Sequence, residues 1–90
     1  MDEIEQAIAD GRQAERLMSD PVLQKALDSL KNEQIRNFRA TNPPESDKRE
    51  QSYYMLKAIE SLEAKLNGIK SNGEFEQEKI KRRGRPPRIA

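Results

Sequence analysis

Apolar residues recur along this chain at helical rather than alternating spacing, in three blocks separated by proline-bearing breaks. Ile4, Ala7, Ile8, Gly11, Ala14, Leu17 and Met18 form the first stripe. It is thin and built of small residues, so the helix it predicts over about 3–18 needs something to cover it. Asp2 is placed to cap that helix, and Glu5 to return the bond as in a capping box. Ser19-Asp20-Pro21 breaks the pattern: Asp20 suits an N-cap, and Pro21 suits the first helical position, where a missing N–H is no loss. Leu23, Ala26, Leu27, Leu30, Ile35 and Phe38 then line one face of a second helix, about 21–40. Thr41-Asn42-Pro43-Pro44 stops it, since two successive prolines prefer an extended path.

The third block is the most regular. Met55, Ile59, Leu62, Leu66 and Ile69 follow one another in steps of 4, 3, 4 and 3, a heptad seam over two repeats. Tyr53, Tyr54 and Leu56 widen its start. The spacing predicts a helix over about 47–71, with Asp47 and Glu50 as a second capping box and Gly73 as a left-handed C-cap. Glu74 to about Arg82 has the makings of a further short helix. The expected fold class is all-α: a small antiparallel hairpin (helices 21–40 and 47–71), an additional N-terminal helix and an extended basic tail. The seam has two readings that are compatible. It folds helix three back on helix two, and it joins subunits through Met55, Ile59, Leu62, Leu66 and Ile69.

Charge divides the chain in two. Of 17 Lys and Arg, six (Lys79, Lys81, Arg82, Arg83, Arg85 and Arg88) fall after residue 78, whereas all 16 Asp and Glu precede it. Residues 1–78 therefore carry eleven cations against 16 anions, and the +1 overall hides an acidic body with a +6 tail. This sets the expected division into a self-associating helical body, 1–78, and a basic tail, 79–90. Such asymmetry points the tail at a polyanion. With six Asp/Glu against two Arg over residues 2–20, the first helix is poorly suited to touch nucleic acid.

Composition narrows the function classes. The chain holds neither His nor Cys, which removes the commonest general base, the commonest metal ligand and the thiol nucleophile. No enzymatic activity, metal or cofactor is expected. No apolar run approaches the length of a membrane span, and the acidic start does not resemble a signal peptide, so no membrane association is expected either. At 33% hydrophobic and 37% charged residues, 90 residues make a small core, which favours either long packed helices or self-association.

Arg83-Gly84-Arg85-Pro86 is chemically specific. The minor groove of A·T-rich DNA is narrow and strongly negative, and it attracts inserted Arg. Gly84 lets the backbone reach the groove floor, Arg83 and Arg85 spread to either side, and Pro86 and Pro87 keep the chain extended. Lys81, Arg82 and Arg88 then reach phosphates. These residues resemble the AT-hook over about 81–88, departing after the core where Pro87 and a single Arg88 stand in for a longer basic extension. The resemblance implies Arg83 and Arg85 as groove-inserting residues and Gly84 as the floor contact. A solvated basic tail that aids solubility or binds an acidic protein surface is the alternative.

The body carries a second resemblance. Asp20-Pro21-Val22-Leu23, the aromatic-Arg pair Phe38-Arg39, Arg49-Glu50, Tyr53-Tyr54-Met55-Leu56-Lys57 and Gly73 are similar to the pattern of a widespread group of small tailed-bacteriophage proteins. The likeness spans about residues 14–76, with Phe38 and Tyr54 where Trp is frequent, and it implies origin and architecture rather than activity. The expected function is that of a phage-encoded, non-enzymatic accessory protein, located in the host cytoplasm or inside the virion. Its expected partners are A·T-rich double-stranded DNA and further copies of itself. The alternative is a virion structural or connector-associated component whose tail contacts phage structural proteins or packaged DNA.

Overall fold

The computed structural model of the chain describes residues 2–83. Among them the chain is all-α, with α1 (Glu3–Met18), α2 (Pro21–Arg39) and α3 (Ser46–Arg83) and no strand. Local chemistry sets the starts. Asp2 Oδ1 accepts from the Glu5 N–H at 2.7 Å. Asp20 Oδ1 accepts from the N–H groups of Val22 (2.8 Å) and Leu23 (3.1 Å), and Pro21 opens α2. The connection after α2 is held from three sides. Thr41 Oγ1 donates to the Phe38 carbonyl, Asn42 N–H donates to Glu45 Oε1, and Arg49 Nη1 and Nη2 donate to the carbonyls of Asn42 and Pro43. Glu45 thus organises the start of α3. Asp47 lies inside the first turn and is not the cap that its spacing from Glu50 predicts.

α3 packs against both other helices. Lys31 meets Glu63, and farther along α2 Phe38 faces Ser52, Tyr53 and Leu56, so α2 and α3 run antiparallel. α1 runs parallel to the second half of α3. Gln6, Ala7 and Asp10 share a groove with Lys65, Gly68 and Ile69, and Gly11 then meets Gly73. The result is a rod with extents of 70 × 27 × 26 Å. Its buried apolar side chains are few: Ala14, Leu27 and Ile59.

The third helix differs from expectation at its end. It does not stop near residue 71 but continues through Asn72-Gly73 to Arg83, for 38 residues in all. Gly73 keeps a negative φ and is no left-handed cap. Its role is close approach. A Cβ on Gly73 would lie 2.8 Å from the Ala7 carbonyl oxygen and 2.9 Å from the Gly11 Cα, so only glycine lets the two backbones meet there. Glycine within a helix costs about 1 kcal/mol relative to alanine, and the packing of α1 offsets that cost. Downstream, Glu, Gln, Lys and Arg are strong helix formers. Pairs at helical spacing (Lys70–Glu74, Glu76–Lys79, Glu78–Arg82) add to them. The segment after Gly73 is therefore not a separate short helix. Residues 79–83 of the anticipated extended tail are helical.

Candidate nucleic-acid interface

The basic end of α3 forms one pole of the rod. Lys81, Arg82 and Arg83 occupy its last turn and are exposed. Consecutive helical residues are rotated by about 100°, so the three fan around the axis instead of forming one stripe. Their charge complements the partial negative charge at the helix C-terminus, which alone would repel a phosphate.

Two of the tail's cations are engaged within the helix. Lys79 Nζ lies 3.4 Å from Glu76 Oε2 and 5.1 Å from the centre of the Phe75 ring. Arg82 Nε lies 3.8 Å from Glu78 Oε1. Exposed pairs of this kind contribute only about 0.3–0.5 kcal/mol. They hold the side chains loosely and yield to a phosphate at little cost.

Geometry sorts the predicted contacts. A helix with side chains is about 10–12 Å across, whereas the minor groove is about 6 Å wide. On a helix of that breadth Lys81 and Arg82 stand too wide to enter such a groove. Arg83 is the last helical residue, and to enter the groove it must leave the helix. Gly84, Arg85, Pro86 and Arg88 lie outside the described residues. The acidic α1 lies alongside the second half of α3, with Glu3, Glu5, Asp10 and Glu15 exposed. A duplex meets least repulsion when it approaches the pole end-on.

The five seam residues separate into two groups. Ile59 is buried and Leu66 half-buried, whereas Met55, Leu62 and Ile69 stay exposed. Only the exposed three are open to a second subunit. Two features have only a faint signal in the sequence. One is the crossing of Gly11 and Gly73, for which the Ala7-x-x-x-Gly11 spacing is the available signal. The other is the clamp made by Arg49, for which a motif position was visible but no role.

Among the described residues no group of His, Cys, Asp or Glu is arranged to hold a metal ion, and no helix is long and apolar enough to cross a membrane. No family model, curated protein or solved structure matches the chain.

Proposed function

We propose that the protein is a non-enzymatic, phage-encoded accessory protein that binds A·T-rich double-stranded DNA through its C-terminal Arg-Gly-Arg-Pro segment, presented by a self-associating helical body. The observation that carries this reading is the segregation of charge. Residues 1–78 are acidic overall, and the run of cations that follows begins with Lys79, Lys81, Arg82 and Arg83 at the end of α3, one pole of the rod. Lys81 and Arg82 supply phosphate contacts, Arg83 and Arg85 enter the groove, and Gly84 and Pro86 shape the chain between them. One hook binds weakly, so several tails held together are needed for useful affinity.

A gel-shift titration on A·T-rich and G·C-rich duplexes across a salt series tests this. The full chain should prefer the A·T duplex, and a chain lacking residues 81–90 should lose binding to both. Replacing Arg83 and Arg85 by Ala should erase the A·T preference, whereas Arg88→Ala should weaken both duplexes alike. With Lys81, Arg82 and Arg88 on phosphates, log K should fall with log salt at a slope of about −2.7. Binding that survives removal of residues 81–90 sinks the proposal.

The exposed apolar surface favours a second reading. Val22 is 76% exposed and Phe75 61%, on faces that no helix of the chain covers. A virion structural or connector-associated component would cover them with protein neighbours. Mass spectrometry of purified particles separates the readings: presence at fixed stoichiometry supports the second, and absence removes it.

A further inference from the structure

α3 is uneven in its own tendency to be helical. Residues 54–66 and 74–83 are rich in Glu, Gln, Lys, Arg, Leu and Ala, which favour the helix. Between them Asn67-Gly68-Ile69-Lys70-Ser71-Asn72-Gly73 holds two Asn, two Gly and a Ser. Asn and Ser bond to nearby backbone in non-helical conformations, and Gly loses the most freedom on ordering. Among the described residues one ion pair on α3 crosses Gly73, that of Lys70 and Glu74. At 3.9 Å it is long, and Lys before Glu is the weaker order on a helix.

α1 packs on this weak stretch. Ala7 and Asp10 share a groove with Gly68, Ile69 and Asn72. A Cβ on Gly11 would lie 2.9 Å from the Gly73 Cα, and 3.2 and 3.3 Å from the carbonyl oxygens of Ile69 and Lys70. The contact is backbone against backbone, and α3 presents that surface only while residues 67–73 are helical. α1 in turn buries only Gly11 and Ala14 fully, and a helix of its length is marginal in water without such cover. Docking of α1 and helix formation at 67–73 therefore stabilise each other.

We infer that α1 is a clasp on a hinge in α3. Docked, it keeps residues 67–73 helical and holds the basic end in line with the rod. Released, it lets α3 break at Asn72-Gly73, and residues 74–83 turn independently of the body. Gly73 serves both states. It permits the crossing while α1 is docked, and it is the residue type that takes a left-handed cap when a helix ends. Residues 74–83 are too few to hold a helix alone, for which about 12–15 are needed. The coupling is reciprocal: whatever holds the basic end in line tightens α1, and whatever turns it aside frees α1. This device stands apart from the DNA reading and does not depend on what the basic end binds.

Hydrogen exchange and spin-label distances on the full chain, without DNA, test the coupling. The chain has no Cys, so Ser61→Cys and Glu78→Cys, at exposed sites on α3, carry one label pair, diluted into unlabelled protein. Seventeen helical steps separate them, about 25 Å at 1.5 Å each, and the otherwise unaltered chain should give one narrow distance near that value. Two variants release α1 without altering α3. Gly11→Ala sets a Cβ against the α3 backbone, and Ala14→Asp puts a carboxylate where α1 is buried. In both, the amides of residues 69–77 should exchange at least about tenfold faster and the distance should broaden, while α2 and the first half of α3 keep their protection. Adding Gly68→Ala and Asn72→Ala to Gly11→Ala should restore the narrow distance and the protection of 69–77, but not that of α1. Unchanged exchange at 69–77 with α1 released, a loss spread evenly over α2, or no rescue by the two alanines overturns the inference. So does an α1 that stays protected in both variants, because the glycine crossing then does not hold it.

Discussion

Three described glycines sit inside helices, and their surroundings give them opposite expectations. A Cβ on Gly68 would meet nothing within 4 Å. Gly68→Ala should therefore stabilise the body by about 0.5–1 kcal/mol through helix propensity alone. On Gly73 or Gly11 the added Cβ would meet backbone atoms of the facing helix at 2.8–2.9 Å. Backbone cannot rotate aside as a side chain can. Gly73→Ala and Gly11→Ala should each cost about 1–3 kcal/mol and loosen α1 from α3. Thermal melts followed by circular dichroism check both directions; a destabilising Gly68→Ala, or a neutral Gly73→Ala, contradicts the crossing. In the sequence Gly73 has the appearance of a stop signal. A cap glycine and a crossing glycine look alike until the facing helix is placed.

The elements were legible in proportion to how local their determinants are. The starts of α1 and α2 follow from Asp2 and from Asp20-Pro21, whose side chains act within three residues. α3 starts at Ser46, one residue before the expected 47, and its first turn is organised by Glu45 instead of Asp47, because Glu45 draws on Asn42 and Lys48 together. The end of α3 was missed because it depends on α1, more than 50 residues earlier in the chain. The Glu45 arrangement carries a pH dependence. Hydrogen bonding to Lys48, and then to the Asn42 N–H, holds the Glu45 carboxyl below its ordinary value of 4.5. A group whose pKa is depressed by folding stabilises the fold above its unfolded pKa, and that contribution is lost as pH falls through the folded value. The connection between α2 and α3 should therefore loosen below about pH 4.5. Glu45→Gln should flatten that part of the acid profile; an unchanged profile in thermal melts between about pH 3 and 6 removes the role assigned here.

At the scale of the molecule, shape and charge act together. The basic end of α3 and the half-exposed rings of Phe38 and Tyr53 lie toward opposite ends of the rod. A self-associated body, as proposed, offers more than one hook to the same duplex. At the best of a range of spacings, a duplex carrying two A·T tracts should bind at least about tenfold more tightly than one carrying a single tract, through effective concentration. Equal affinity for one and two tracts across a range of spacings, measured in the same titration, contradicts the gathering of several hooks by the body.

Residue order alone determined the helical class, the breaks at Pro21 and Pro43-Pro44, and the split between an acidic body and a basic tail. Helical period, proline geometry and net charge are properties of short stretches, and they survive without knowledge of what packs on what. Tertiary structure decided that α3 runs unbroken past Gly73, that Ile59 and Leu66 are spent inside the subunit, and that Phe38 and Tyr53 are left half exposed at the tip. Those outcomes depend on which faces meet, and the facing helix that decides each of them lies far away in the chain.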